Sequence, residues 1–285
     1  MSRLNTAQRA QVVSALVEGN SIRSTCRMTG IAKGTVLALL EDMGKICAAY
    51  HDEHVRNVVA KRIQCDEIWS FCYGKDKNVS EEMKAEGAGS LWTWTALDAD
   101  SKLIVSYLCG GRDAAWARSF MEDVASRLTT RVQITTDGHR AYVEAVEGAF
   151  GVDVDYAMLI KLYGSPATPE TRYSPGECIG TEMVNVMGNP NPRYISTSYV
   201  ERQNLTMRMS MRRYTRLTNA FSKKLENHEH MLAIYFLYYN FCRVHQTLRV
   251  TPAMEAGIAN HVWTIEEMVK LLDERSILDG LCLAS

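Results

Sequence analysis

The sequence lacks the signatures of several common protein classes. Its eight cysteines include no C-x-x-C pair, which argues against a zinc site or a disulfide framework and for reduced thiols. The first residues, MSRLNTAQRAQ, contain no apolar segment of the kind found in signal peptides. The longest apolar run, MLAIYFLYYNFC, is too short and too aromatic to span a bilayer. We therefore expect a cytoplasmic protein with no membrane partner.

Nucleotide-binding and serine-hydrolase motifs are also missing. There is no G-x-x-x-x-G-K-[ST], Gly110-Gly111 does not open a dinucleotide-binding fingerprint, and no G-x-S-x-G is present. A nucleotide cofactor is therefore not predicted. The length of 285 residues suits one large domain with a small one.

Charge is unevenly distributed, although the formal net charge is only -1. Residues 202–224 carry seven Lys or Arg and no Asp or Glu, whereas the chain after Arg249 is acidic. Solvated helix faces usually mix both signs, so this unmixed run favours a phosphate-backbone partner. One acid, Glu201, stands directly before the run, where it could either cap a helix or hold a cation.

Three short helices are predicted in residues 6–43, where apolar residues recur at helical spacing. The second starts at the possible N-cap Ser21 and ends at Gly30, and the third follows at once. Two short helices joined by a tight glycine turn predict a DNA-binding helix-turn-helix, the alternative being a three-helix bundle that binds nothing. The basic residues expected to contact DNA lie on the outer side of this helix-turn-helix: Arg23, Arg27 and Lys33.

An α/β domain is predicted from residue 61 onward. Three strand-like segments lead into alternating helices and strands, and a helical pattern runs from 198 to 246. This order describes a mixed sheet flanked by helices. The predicted domains are a helix-turn-helix domain (1–45), a linker or connecting helix (46–60), a catalytic domain (61–260) with an irregular proline-rich loop (163–193), and a helical tail (261–285).

Three acids lie at positions where a functional site of such a sheet would be expected. Asp66 lies inside the first strand, Asp137 ends the fourth strand, and Glu201 begins a helix. If the first and fourth strands pair in parallel, the two aspartates converge, and Glu201 would be contributed from a helix packed across the sheet. Three carboxylates around one cavity form a hard-oxygen site for Mg²⁺ or Mn²⁺. With two ions, this arrangement is typical of phosphoryl transfer.

Each acid also has a purely structural interpretation. Asp66 could lie on the surface of an edge strand, and Asp137 could serve a turn before glycine. The segment from Ser198 to Glu201 fits a capping box, S-x-x-E, which would stabilise a helix and do nothing more. Because side chains alternate along a strand, Asp66 and Glu67 are expected to face opposite ways, with only one of them in the site.

Four segments together resemble a known family. CDEIWSF, TTDGHRAY and YVERQNLTMR are similar to the three acidic motifs of bacterial insertion-sequence transposases with an Asp-Asp-Glu triad. YYNFCRVHQTLRVTPAMEAGI resembles the ending that is frequent in that superfamily and in retroviral-type integrases. The insertion-sequence-one family is the most similar in character. The resemblance covers about residues 60–260 and implies a ribonuclease-H-like fold with divalent-metal DNA strand transfer.

The resemblance also implies ligands and partners. Asp66, Asp137 and Glu201 would hold two Mg²⁺ ions, with Mn²⁺ able to substitute. Double-stranded DNA, as element ends and as target, would be bound by a homo-oligomer in the bacterial cytoplasm, at the nucleoid. The zinc-binding N-terminal segment that is frequent in that family is not predicted. Further DNA contacts are expected from basic residues that follow Glu201 or lie in the ending motif: Arg208, Arg212, Arg243 and His245.

Two alternatives stay open at the level of the sequence. A regulator that binds DNA through the helix-turn-helix alone would need none of the three acids. A nuclease with the same fold would cut DNA without joining ends.

Overall fold

A six-stranded sheet forms the α/β part of the chain. The computed structural model describes residues 4–164, 177–215 and 218–282. The spatial order of the strands is β3-β2-β1-β4-β5-β6. β1 and β4 are parallel, as are β4 and β5, whereas β5 and β6 are antiparallel. The strands are β1 (Arg62–Cys72), β2 (Gly89–Asp98), β3 (Ile104–Gly110), β4 (Val132–Thr136), β5 (Val154–Tyr163) and β6 (Cys178–Met187).

Helices precede, flank and follow the strands in the described part of the chain. None of the helices described there is long and apolar enough to cross a membrane. They are α1 (Thr6–Val17), α2 (Ile22–Thr29), α3 (Lys33–His54), α4 (Glu81–Ala85), α5 (Ala114–Arg127), α6 (Ala141–Phe150), α7 (Ser198–Ser210), α8 (Leu225–Leu237), α9 (Pro252–Glu255) and α10 (Ile265–Cys282).

The predicted fold class is confirmed as α/β, a mixed sheet flanked by helices and preceded by a helical region. The turn between β2 and β3 is held by Asp98, whose carboxylate accepts the backbone N–H groups of Asp100 and Ser101. β4, VQITT, is buried along its whole length. Such burial is expected of a parallel strand covered on both faces.

The three N-terminal helices form as predicted. The Ser21 side chain accepts the Ser24 N–H at the start of α2, and Gly30 ends that helix in a left-handed conformation. Only glycine adopts this backbone without strain. The side chains proposed for DNA contact are exposed at α2 and at the start of α3: Arg23, Arg27 and Lys33.

The chain divides into two units. The first comprises Met1–Arg56, Ile68–Thr93 and Gln203–Ser285, and the second comprises Asn57–Glu67 and Trp94–Arg202. The acids proposed as metal ligands all belong to the second unit.

Within the first unit, the N-terminal helices share their core with the C-terminal ones. A Cβ atom at Gly44 of α3 would lie 2.3 Å from the Cβ atom of His230 in α8, so only glycine permits this approach. The buried Arg9 side chain of α1 pairs with Asp273 of α10 at 2.9 Å. The region predicted as a helix-turn-helix domain is thus part of a larger helical body.

The segment predicted as a linker or connecting helix lies largely inside α3, because buried Met43, Ile46 and Cys47 continue its apolar face. β6 occupies much of the predicted irregular loop 163–193; the loop residues 165–176 lie outside the described residues. β6 is exposed along most of both faces and therefore lacks the alternating pattern that marks a strand.

The helix predicted over 198–246 is interrupted. α7 ends at Ser210, and α8 begins at Leu225. The described residues between them contain a short 3-10 turn, Arg212–Tyr214. Arg212 therefore does not extend the helix face of Glu201 and Arg208; Arg216, also in the basic run, lies outside the described residues.

Candidate functional site

Two predicted site residues meet beside the end of β4. The described pairing of β1 with β4 runs from Arg62↔Gln133 to Gln64↔Thr135. Asp66 follows the last pair on β1, and Asp137 follows the last residue of β4. Sites in α/β sheets form at such carboxyl ends of parallel strands. The structure thus brings Asp66 and Asp137 together, as the parallel pairing predicts.

Glu67 joins this pair, so the prediction that only one residue of the Asp66-Glu67 pair reaches the site is wrong. Carboxylate oxygens of Asp66, Glu67 and Asp137 lie within 4.8 Å of one another. Neighbouring side chains leave a strand on opposite faces. Alternation fixes only where a side chain leaves the strand, however, and the Glu67 carboxylate is held within the group by Arg112 and Tyr142. We call these three acids the acidic cluster.

Glu67 is the buried member of the acidic cluster, with 0% of its side chain exposed. The Arg112 Nε donates to Oε1 at 2.7 Å, and the Tyr142 hydroxyl donates to Oε2 at 3.0 Å. These bonds tie β1 to α6 and to the segment after β3. The sequence signal for this site was the pair of acids, Asp66 and Glu67, inside a predicted strand. The sequence did not show which of the two binds Arg112.

Burial and the neighbouring acids raise the pKa of two members of the acidic cluster, Asp66 and Glu67. Burial, and then the charges of Glu67 and Asp137, raise the pKa of Asp66 to about 7. The charge of Glu201 acts on Asp66 in the same direction. Burial and the charge of Asp137 likewise raise the pKa of Glu67, against the opposing effect of Arg112. Ionised together, these groups repel one another.

Asp137 also serves the turn after β4. Its Oδ1 accepts the backbone N–H of His139 at 2.9 Å. The structural interpretation of the Asp-Gly turn and the functional one are therefore compatible, because this bond fixes the direction of the carboxylate while it remains within the acidic cluster.

Glu201 lies in the first turn of α7, and its carboxylate is directed toward a lysine. The Thr197 hydroxyl donates to Oε1 at 2.5 Å, and the Lys161 ammonium of β5 donates to Oε2. Burial acts to lower the pKa of Lys161, but the hydrogen bond and charge of Glu201 outweigh it and raise that pKa. Lys161 is therefore a charged partner at neutral pH. Glu201 is outside the 4.8 Å acidic cluster.

The predicted capping box is not formed. α7 begins at Ser198, which makes Glu201 the fourth helical residue rather than the third. The Ser198 N–H donates to Ser196 Oγ at 3.2 Å instead of to Glu201. Glu201 therefore does not cap α7 through a capping box, which was the purely structural interpretation of this acid.

Gln64 of β1 caps α7 instead. Its Oε1 accepts the backbone N–H groups of Tyr199 and Val200 at 2.9 and 3.2 Å. These are amides of the first helical turn, which have no acceptor within the helix. Gln64 and Asp66 are on the same strand face, so this cap fixes the start of the Glu201 helix relative to the acidic cluster.

Replacing Gln64 by Met should destabilise the protein. The variant keeps the side-chain length but leaves two amides, one in buried Val200, without their acceptor. Such a loss costs about 1–3 kcal/mol, which thermal unfolding would register. The matched change Gln11→Met, at an exposed site on α1, should have almost no effect. Equal stability of both variants would show that the Gln64 cap is not needed.

The predicted DNA contacts after Glu201 have differing environments. Arg208 is half-buried, and its Nη1 donates to the Tyr214 carbonyl at 3.3 Å. Arg212 is exposed. Arg243 is half-buried and donates to Ser210 Oγ at 3.5 Å, and His245 Nδ1 lies 3.0 Å from the Thr247 hydroxyl. Arg208 thus has a structural partner, whereas Arg212 presents its charge to solvent.

The acidic cluster has the donor chemistry of a divalent-metal site. Carboxylate oxygens are the hard ligands that Mg²⁺ and Mn²⁺ prefer, and three of them lie within 4.8 Å here. A cation would also relieve the repulsion that raises the pKa of Asp66. The residues present therefore fit such an ion.

Comparisons with known proteins give distant likenesses. No family model and no curated protein matches the sequence. Among solved structures, the chain is similar to the Mos1 transposase paired-end complex with left transposon end, at 11% identity and a TM-score of 0.23, covering 55% of this chain and 60% of that one. It is also similar to the piggyBac transposase synaptic complex with hairpin DNA, at 13% identity and a TM-score of 0.42, covering 95% and 71%. At these values the likenesses do not establish a family.

Proposed function

We propose that the protein is an Asp-Asp-Glu DNA transposase of the insertion-sequence type. It would hydrolyse a phosphodiester at an element end to free a 3′-OH, which then attacks target DNA. One observation carries the proposal, the convergence of Asp66 and Asp137 at the ends of adjacent parallel strands. Glu201 is included because its charge acts on Asp66 and because Gln64, on the strand of Asp66, holds the start of its helix. These acids stand, in order, in the three motifs that resemble those of transposases.

The individual residues have the following proposed roles. Asp66, Asp137 and Glu201 are the proposed ligands of two Mg²⁺ ions, which Mn²⁺ can replace. When bound, these ions supply Lewis acidity to the attacking and leaving oxygens. Because Asp66 has a pKa of about 7 and binds a cation only when ionised, cation affinity should increase as the pH rises through that value. Glu67 would hold β1 and α6 in place through its Arg112 and Tyr142 bonds.

The proposed partners are double-stranded element ends and target DNA, bound by a homo-oligomer in a bacterial cytoplasm. α2 and the start of α3 would contact the ends, since their cations are exposed. Phosphates would also be contacted by other basic residues: Arg208, Arg212, Arg243 and His245.

Alanine substitution of Arg23, Arg27 or Lys33 should weaken binding to element ends. Each lost phosphate contact should reduce the slope of log affinity against log salt by about 1. Fluorescence anisotropy at several salt concentrations measures both quantities. Lys45→Ala, on the same helix as Lys33 but paired with Glu41, is the matched control. Slopes equal to that control would exclude phosphate contacts by these three residues.

The function itself is tested with a labelled end substrate. DNA flanking the gene should contain inverted repeats, which supply that substrate. The purified protein should nick the end and join it to target DNA in Mg²⁺, and EDTA should stop both steps. Cutting without joining would identify a nuclease, and specific binding without cutting would identify a regulator.

A further inference from the structure

The Glu201 carboxylate is already engaged on both oxygens. Thr197 and Lys161 each donate to one of them. A hydroxyl is neutral and can remain bonded beside a metal ligand, whereas an ammonium carries a full positive charge. Any cation that binds Glu201 must therefore share or displace the contact with Lys161.

The ion pair of Lys161 and Glu201 is open to such an exchange. The two side chains are 30% and 36% exposed, so ions can approach from solvent. Thr197 and the Gln64 cap keep Glu201 and its helix in place if Lys161 leaves. β5, which carries Lys161, pairs with β4, the strand that leads to Asp137. The ammonium thus belongs to the same sheet edge as the proposed metal ligands.

We propose that Lys161 is a positioning residue that competes with the divalent cation for Glu201. In the metal-free protein, the ammonium holds the carboxylate, and cation binding requires its displacement. This inference rests on the proposed function, because it assumes that Glu201 is a metal ligand. Its consequence is that Lys161 sets the cation concentration at which the site fills.

The test is the affinity of the full chain for Mn²⁺, measured by calorimetry or by the electron paramagnetic resonance of free Mn²⁺. Lys161→Met should bind Mn²⁺ more tightly, by on the order of tenfold, since removing one charge a few ångströms from a divalent ion has about that effect in water-like surroundings. Lys161→Arg keeps the charge and should resemble the parent. Lys61→Met, at an exposed lysine of the same unit, is the control.

The same substitution in a Glu201→Gln protein distinguishes competition for Glu201 from general repulsion between Lys161 and the cation. When Glu201 is already replaced by Gln, there is no carboxylate to release, so adding Lys161→Met should tighten Mn²⁺ binding less than it does in the parent. Equal or weaker binding by the single Lys161→Met variant would overturn the inference. If the parent binds no Mn²⁺, or if Asp137→Asn leaves binding unchanged, the proposed metal site is itself absent and both proposals fall.

Discussion

Glu201→Gln is expected to bind DNA and fail to cut it. The amide removes a negative charge and a ligand oxygen, and loss of one group of a cooperating catalytic unit commonly costs on the order of 10³ or more in rate. The fold should be nearly unaffected, because Gln64 rather than Glu201 caps α7. The amide oxygen of the new side chain can still accept the Thr197 hydroxyl. Losing the half-exposed pair with Lys161 should cost about 0–1 kcal/mol.

The measurement is strand cleavage and joining of a labelled end in Mg²⁺, beside thermal unfolding and DNA binding of the same preparation. Glu182→Gln, on exposed β6, is the matched control and should retain the activity of the parent. If the Glu201 variant cuts and joins like this control, Glu201 serves only as the ion-pair partner of Lys161.

Asp66→Asn is expected to stabilise the metal-free protein at neutral pH while abolishing its activity. The folded state raises the pKa of Asp66 from 3.8 to about 7, so the folded protein binds more protons than the unfolded chain between these values. Stability should therefore fall as the pH rises through this window. Three pKa units correspond to a ceiling of about 4 kcal/mol. Asn carries no charge and avoids this loss.

Thermal unfolding in EDTA at pH 4 and pH 8 would measure the effect. The difference between variant and parent should be small at pH 4 and favour the variant at pH 8. Mg²⁺ should raise the melting temperature of the parent more than that of the variant. Asp42→Asn, at an exposed acid of α3, should follow the parent throughout. A parent whose stability does not fall between pH 4 and pH 8 would contradict the raised pKa of Asp66 in the folded protein.

The sheet was predictable because its central strands carry strong local patterns. β1 and β4 are rich in strand-forming residues and have clear ends, and their order along the chain fits parallel pairing. β6 was missed because its residues are mostly exposed and therefore show no alternation of apolar and polar residues. The strand is defined by its hydrogen bonds to β5, which the sequence pattern does not reveal. The length of α3 was missed because its C-terminal half is buried by α8, far along the chain.

Part of the acidic cluster was predictable from the sequence. Asp66 inside the first strand and Asp137 at the end of the fourth were expected to converge, and they do, whereas Glu201 lies outside the cluster. Strict alternation predicts that only one acid of the Asp66-Glu67 pair reaches the site, but Arg112 and Tyr142 hold the Glu67 carboxylate within the same group. The roles of Gln64 and Lys161 depend on packing between β1, β5 and α7, which residue spacing within one segment does not encode.

The contact of α1 with α10 has a consequence for the order in which the chain folds during its synthesis. Arg9 and Asp273 are separated by 264 residues in the chain, and Glu18 meets Tyr238 across 220. The N-terminal helices leave the ribosome long before the helices that cover their apolar faces. Closing such long loops is slow relative to local folding. We therefore expect the N-terminal helices of a nascent or prematurely terminated chain to remain without their core, so that the proposed DNA recognition would arise only after translation has passed α10.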